Sequence, residues 1–235
     1  MIRPSGYDRA ITYDDRVTTS SFRSAVLRNG VVIGDPLGAV LGLVTAYRDV
    51  GVSGLSRPAS FGEPDLRLGN RDGARISAAQ IAAVLERRHA IEQALEEIAS
   101  QASLTEPAGS VPWLPLRQLF DAFADIRGVG FSKMTKALYR KRPALIPILD
   151  SIVQKYLEDD DLGAQAPFGE RALEFVRGYK RDLDHNQGPL QRVRQELARR
   201  GYELTEVRIL DLLILYAAAP APASRAGSPA ARGRN

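Results

Sequence analysis

Apolar residues in this chain recur at the three- and four-residue spacings of helices, and no convincing run alternates apolar with polar at period two. A half-buried sheet needs that alternation to bury one face. The expectation is therefore an all-α fold, with "NGVVIG" (29–34) the only plausible strand. Within "DPLGAVLGLVTAYRDVG", Asp35 suits an N-cap, Pro36 the first turn and Gly51 the stop. Ser77 and Gln80 make a capping-box pattern before one long helix through residue 101, with Ile81, Val84, Leu85, Ile91, Leu95 and Ile98 along one stripe. Further helices are expected at 116–126, beyond Gly130, at 151–158, at 168–183 and at 189–200. "LTEVRILDLLILYAA" is apolar nearly all round and should be a buried helix. The stretch 11–30 accommodates a short helix ending at Gly30, and residues 52–74, dense in Gly, Pro and Ser, read as a loop.

These elements divide the chain into an N-terminal segment without a clear assignment (1–34), a helical domain (35–218) and a basic tail (219–235) disordered by composition. The 32 basic and 28 acidic residues leave a formal charge of +4, and three of the arginines (Arg225, Arg232, Arg234) lie in the acid-free tail. Global charge thus argues weakly for nucleic acid, and local clustering must carry that argument. With no cysteine and only His89 and His185, neither disulfides, iron–sulfur clusters nor His-rich metal sites are expected, and no cofactor is implied. No run approaches the ~20 apolar residues of a membrane span. The best candidate, "ILDLLILYAAA", is short and carries Asp211, so the expected location is cytoplasmic.

Residues 116–142 concentrate the chemistry. Two helices joined by Gly128-Val129-Gly130 would expose turn amides and a helix N-terminus, where unpaired donors and the helix dipole suit a phosphate. Glycine permits positive φ and close approach, and Val129 would plug the turn from inside. Arg127 stands just before the turn and Lys133, Lys136, Arg140, Lys141 and Arg142 follow it, with no acid between residues 126 and 149, a local nucleic-acid footprint. A bland alternative is an ordinary turn with a solvated basic face. In the loop 143–150, Pro143 ends the second helix and Pro147 forces an extended approach to Asp150. Asp150 suits the N-cap of "SIVQKYL", and its functional reading turns on whether the carboxylate also faces a cleft beside the turn.

Gly-Val-Gly, a helix and then "PILD" resemble the helix–hairpin–helix plus Pro/Asp loop of the HhH-GPD superfamily of base-excision DNA glycosylases, over residues 115–157. The wording is closest to the adenine and 8-oxoguanine glycosylase branches, and "KALYRKRPALIPILDS" is also similar to actinobacterial proteins. The resemblance implies a two-lobed helical fold with the hairpin at the inter-lobe cleft and double-stranded DNA as partner, hence a place with the nucleoid. It implies Asp150 as the catalytic carboxylate, stabilising the sugar's developing oxocarbenium charge. Gly128, Val129, Gly130, Ser132, Lys133 and Lys136 would meet the DNA phosphates. Bifunctional members carry a lysine eighteen residues before the aspartate; here Ser132 stands there, so hydrolysis without strand cleavage is implied. The absence of cysteine implies a branch without an iron–sulfur cluster. Trp113, Phe120, Phe123, Phe131 and Tyr139 read as core or as base-stackers, and Asn70, Arg71, Asp72 and Arg75 as pocket-lining or as a solvated loop. The competing readings are a non-catalytic DNA-binding protein and a helical protein-interaction module.

Overall fold

Asn29 and Gly30 shape the first element. In the computed structural model, which describes residues 24–46 and 57–219, β1 (Ala25–Val26) pairs antiparallel with β2 (Val32–Ile33), Ala25 facing Ile33. The turn closes by Gly30 N–H to Leu27 C=O (2.8 Å) and Leu27 N–H to Val31 C=O (2.9 Å), with Gly30 at φ +81°. This hairpin replaces the expected short helix: Gly30 serves as the left-handed residue that closes the loop after the turn, a position that favours glycine. Residues 1–23 and the proposed stop at Gly51 lie outside the described residues, as do 220–235 of the expected tail.

Ten α-helices follow among the described residues, so the all-α expectation holds. In α1 (Pro36–Ala46), Asp35 Oδ1 accepts from Gly38 N–H at 2.9 Å, as the capping pattern requires. α2 (Glu63–Arg71) occupies what reads as loop. Its Pro64 lies in the first turn, where no N–H is missed, and Asp65 reaches back to the Gly62 amide (2.9 Å). A Cβ on the buried Gly69 would stand 3.1 Å from the Lys136 carbonyl oxygen, so here glycine lets two helix backbones touch. The single helix expected from residue 77 is two, α3 (Ala78–Glu86) and α4 (Arg88–Glu96), broken at Arg87 (φ −95°, ψ 6°) without Gly or Pro to announce it.

The remaining helices are α5 (Trp113–Asp121), α6 (Phe131–Leu138), α7 (Ser151–Tyr156), α8 (Phe168–His185), α9 (Gln187–Arg199) and α10 (Glu206–Ala218). α6 stops at Leu138, five residues short of Pro143. α5 and α8 cross closely at Gly169, whose amide donates to Asp121 Oδ1 (2.9 Å) and where a side chain would collide with the α5 backbone. α10 is buried from Ile209 through Ile214 and packs on α1, α7 and α9. The buried apolar side chains form one contiguous core that takes in Phe120, Phe123 and Phe131, with Trp113 and Tyr139 partly buried against it. Those aromatics therefore pack the interior. Phe131 lies 4.7 Å from Phe168 and 5.6 Å from Phe175, centroid to centroid. Asn186 pins the β-hairpin to the α8–α9 junction by exchanging hydrogen bonds with the Val26 backbone (2.8 and 2.9 Å). No helix among the described residues is long and apolar enough to cross a membrane.

Candidate nucleic-acid interface

The connection from α5 to α6 runs through residues 122–130, with Asp125 (φ +61°) and Gly128 (φ +74°) left-handed. Val129 is buried and its amide donates to Ile126 C=O (2.9 Å), so it does plug the turn. Gln80, from the first turn of α3, braces the outside. Its Nε2 donates to the Arg127 and Gly128 carbonyls (3.3 and 3.1 Å), and its Oε1 accepts from Lys133 Nζ at 2.8 Å. The same Gln80 completes the capping box with Ser77 (3.1 and 3.3 Å). A Cβ on Gly128 would run into the Gln80 amide nitrogen, whereas Gly130 has open space around it. The two glycines thus differ: Gly128 is required by conformation, and Gly130 leaves the approach to α6 unobstructed.

At that opening, no side chain caps α6. The amides of Gly130, Phe131, Ser132 and Lys133 have no protein acceptor among the described residues. Ser132, Lys133 and Lys136 are half-buried beside them, and Arg127 is exposed. Four consecutive donors, the positive end of a helix and cations form an arrangement suited to a phosphate.

The rest of the basic run does not join them. Arg140 lies against Asp72 (3.1 Å). Lys141 pairs with Asp65 at 2.8 Å, their side chains 1% and 8% exposed. Arg142 is buried and donates to the Pro58, Leu95, Ile98 and Lys141 carbonyls. The footprint of six cations expected from sequence is therefore three: Arg127, Lys133 and Lys136. The physical reason is the end of α6 at Leu138, after which the chain turns inward and takes its cations with it. Asn70 and Asp72 are likewise spent internally, Asn70 on the Ile76 backbone and Asp72 on Arg140 and the Tyr139 hydroxyl (3.0 Å). Arg71 and Arg75 are exposed.

Asp150 sits at the N-cap of α7, its Oδ1 accepting from Ile152 and Val153 N–H (3.0 and 3.1 Å). The capping role is present; Oδ2 takes no hydrogen bond from the described residues. The loop before it is held residue by residue. Ile148 N–H reaches Asp211 Oδ2 on α10 (3.4 Å), Leu149 N–H reaches Thr135 Oγ1 on α6 (3.0 Å), and Asp150 N–H folds back to Ile148 C=O (2.9 Å). Thr135 in turn donates to Phe131 C=O (2.8 Å), in the first turn of α6. The amide cluster and the Asp150 loop are thereby fastened through one hydroxyl. A groove of about 530 Å³ lies beside α7, lined by Arg28, Ser151, Ile152, Tyr156, Ile214 and Ala217 among others; it begins at the residue after Asp150 and does not include it.

Three residues here escape a sequence reading: Gln80, Thr135 and Asp211. Gln80 already has an explanation as a cap, and Thr135 resembles any polar helical residue. Asp211 did carry a signal, as the one acid inside an apolar helix. Its carboxyl is fully buried and pushed up to about 7 by that burial, opposed by Arg208 (3.6 Å) and by the Tyr179 hydroxyl. Among the described residues no group of three His, Cys, Asp or Glu could hold a metal ion.

No curated protein and no solved structure matches the chain. A family model does match, over residues 73–217, which span α3 to α10 and both the α6 opening and the Asp150 loop. The chain belongs to that family, described as a family of unknown function (DUF6308).

Proposed function

We propose that the protein binds double-stranded DNA through the α5–α6 turn and acts as a monofunctional N-glycosylase, releasing a damaged or modified base by Asp150-assisted hydrolysis. The observation that carries this reading is the open end of α6, with four unpaired amides beside Lys133, Lys136 and the exposed Arg127. The Thr135 bond, which ties that end to the Asp150 loop, supports a shared role for the two. In this role the turn grips a phosphate and the Asp150 carboxylate faces the sugar's developing positive charge, an electrostatic task for a fixed anion. Ser132 cannot form a Schiff base, so the product is an abasic site with the strand intact.

The test is base release across a panel of lesion-bearing duplexes, with Asp150→Asn as the control. Asparagine keeps the size and one capping oxygen but not the charge. It should abolish release while leaving the fold and duplex affinity nearly unchanged. Wild-type protein that binds duplex but releases no base would leave the second reading, a non-catalytic DNA-binding protein. The engagement of Asp150 Oδ1 by two α7 amides favours that alternative. Absence of duplex binding removes both.

A further inference from the structure

Asp211 has a use beyond filling α10. Its carboxyl is surrounded from every side by groups that fix what protonation does. Tyr179 of α8 stands 3.1 Å from Oδ1 and 2.6 Å from the Val207 carbonyl. A phenol has one hydrogen, and the shorter contact claims it for Val207. In that arrangement Oδ1 is served best by carrying the proton itself and donating to the Tyr179 oxygen. Oδ2 faces Ile148 N–H at 3.4 Å, a stretched bond, and Arg208 at 3.6 Å.

Among the described residues, few other charged and titratable groups surround it. Tyr139, just past the end of α6, lies under the Arg208 guanidinium (5.8 Å), Asp150 at the head of α7 repels the Asp211 charge, and Tyr156 of α7 acts on Tyr179. From α9, Arg194 is spent on Glu206 (3.0 Å), and α1 presents no titratable side chain. A cavity of about 20 Å³, lined by Tyr139, Glu203, Thr205, Arg208 and Asp211 among others, is the size of one water and offers a path for proton exchange.

We infer that Asp211 is a positioning residue whose protonation state sets how tightly the Pro147–Asp150 loop is held. Ionisation swings the Tyr179 hydrogen from Val207 to Oδ1, draws Arg208 in, and shortens the Ile148 N–H bond to Oδ2. Protonation reverses this and leaves Leu149 on Thr135 as the main tether. The consequence for Asp150 rests on the catalytic reading of that carboxylate. The coupling itself does not.

The test is a titration of the amide resonances of the ¹⁵N-labelled full chain between pH 5 and 9, without DNA, so that failure of base release leaves it standing. Ile148 should move downfield with rising pH about a midpoint near 7, and Leu149 far less. Asp211→Asn should abolish the Ile148 transition. Arg208→Met and Tyr179→Phe, which remove supports of the anion, should each raise the midpoint by roughly half a unit or more. A flat Ile148 response, a transition that survives in Asp211→Asn, or a midpoint unmoved in both other variants would overturn the inference. If Asp211→Asn does not fold, those two variants decide.

Discussion

The two ends of the basic run 127–142 are alike in composition and opposite in structure. Arg127, Lys133 and Lys136 lie along the turn and the first turns of α6, with no acid paired to them among the described residues. Arg140, Lys141 and Arg142 turn inward, where Asp72, Asp65 and a set of backbone carbonyls receive them. One end carries charge that no acid neutralises among the described residues, and the other uses charge to join α2 and α4 to the end of α6. A cluster of cations in a sequence is thus two different objects, told apart by where the helix stops.

Variants at the inner end should show the largest effects. Lys141→Met leaves Asp65 buried without its ion partner, and removing one member of a buried pair costs about 3–5 kcal/mol. Denaturant unfolding should record a loss of that size; a change below about 1 kcal/mol would erase the distinction between the two ends. Asp211, another inner charge, predicts a pH dependence of definite sign. Its carboxyl is raised to about 7 when folded and lies near 3.9 when unfolded. The folded state therefore binds more protons across that window. This contribution to stability is complete below about pH 4, falls by up to roughly 1.4 kcal/mol per unit as pH rises, and levels off above 7. Asp211→Asn should flatten that slope.

The outer end should show the reverse pattern. Lys133→Ala and Lys136→Ala should alter stability by no more than about 0.5 kcal/mol. Each should lower the log–log salt slope of duplex binding by roughly 0.9. Gly130→Leu, which fills open space at an extended backbone, should weaken binding in the same sequence-independent way. Unchanged affinity in all three would leave the outer cations as solvated surface.

Much of the fold was legible in the sequence, for identifiable reasons. Asp35, the Ser77–Gln80 box and the apolar run around Asp211 announce helices through caps and periodicity, and α1, α3 and α10 stand where those signals put them. The failures are also physical. In α2, Pro64 and Gly69 read as breakers because local chemistry cannot show that one occupies the first turn and the other a helix crossing. Arg87 breaks a helix with no residue that marks a break. At the candidate site, Gly128, Val129, Gly130 and Asp150 could be picked out by spacing. Thr135 and Gln80 could not, since their importance comes from partners fourteen and about fifty residues away. The inward course of Lys141 and Arg142 was hidden likewise: their partners belong to segments with no visible tie to α6.

The Lys141–Asp65 pair also bears on how the protein can be divided. The family match begins at residue 73, yet Asp65 and Asp72, which neutralise Lys141 and Arg140, both precede it. An excised piece covering only the matched stretch would keep the inward-facing Arg140 and Lys141 and lose both their counter-charges, along with the helix whose Gly69 seats on α6. A workable expression boundary therefore falls upstream of Phe61, whose amide binds Glu92 and whose ring meets Phe123 edge-on.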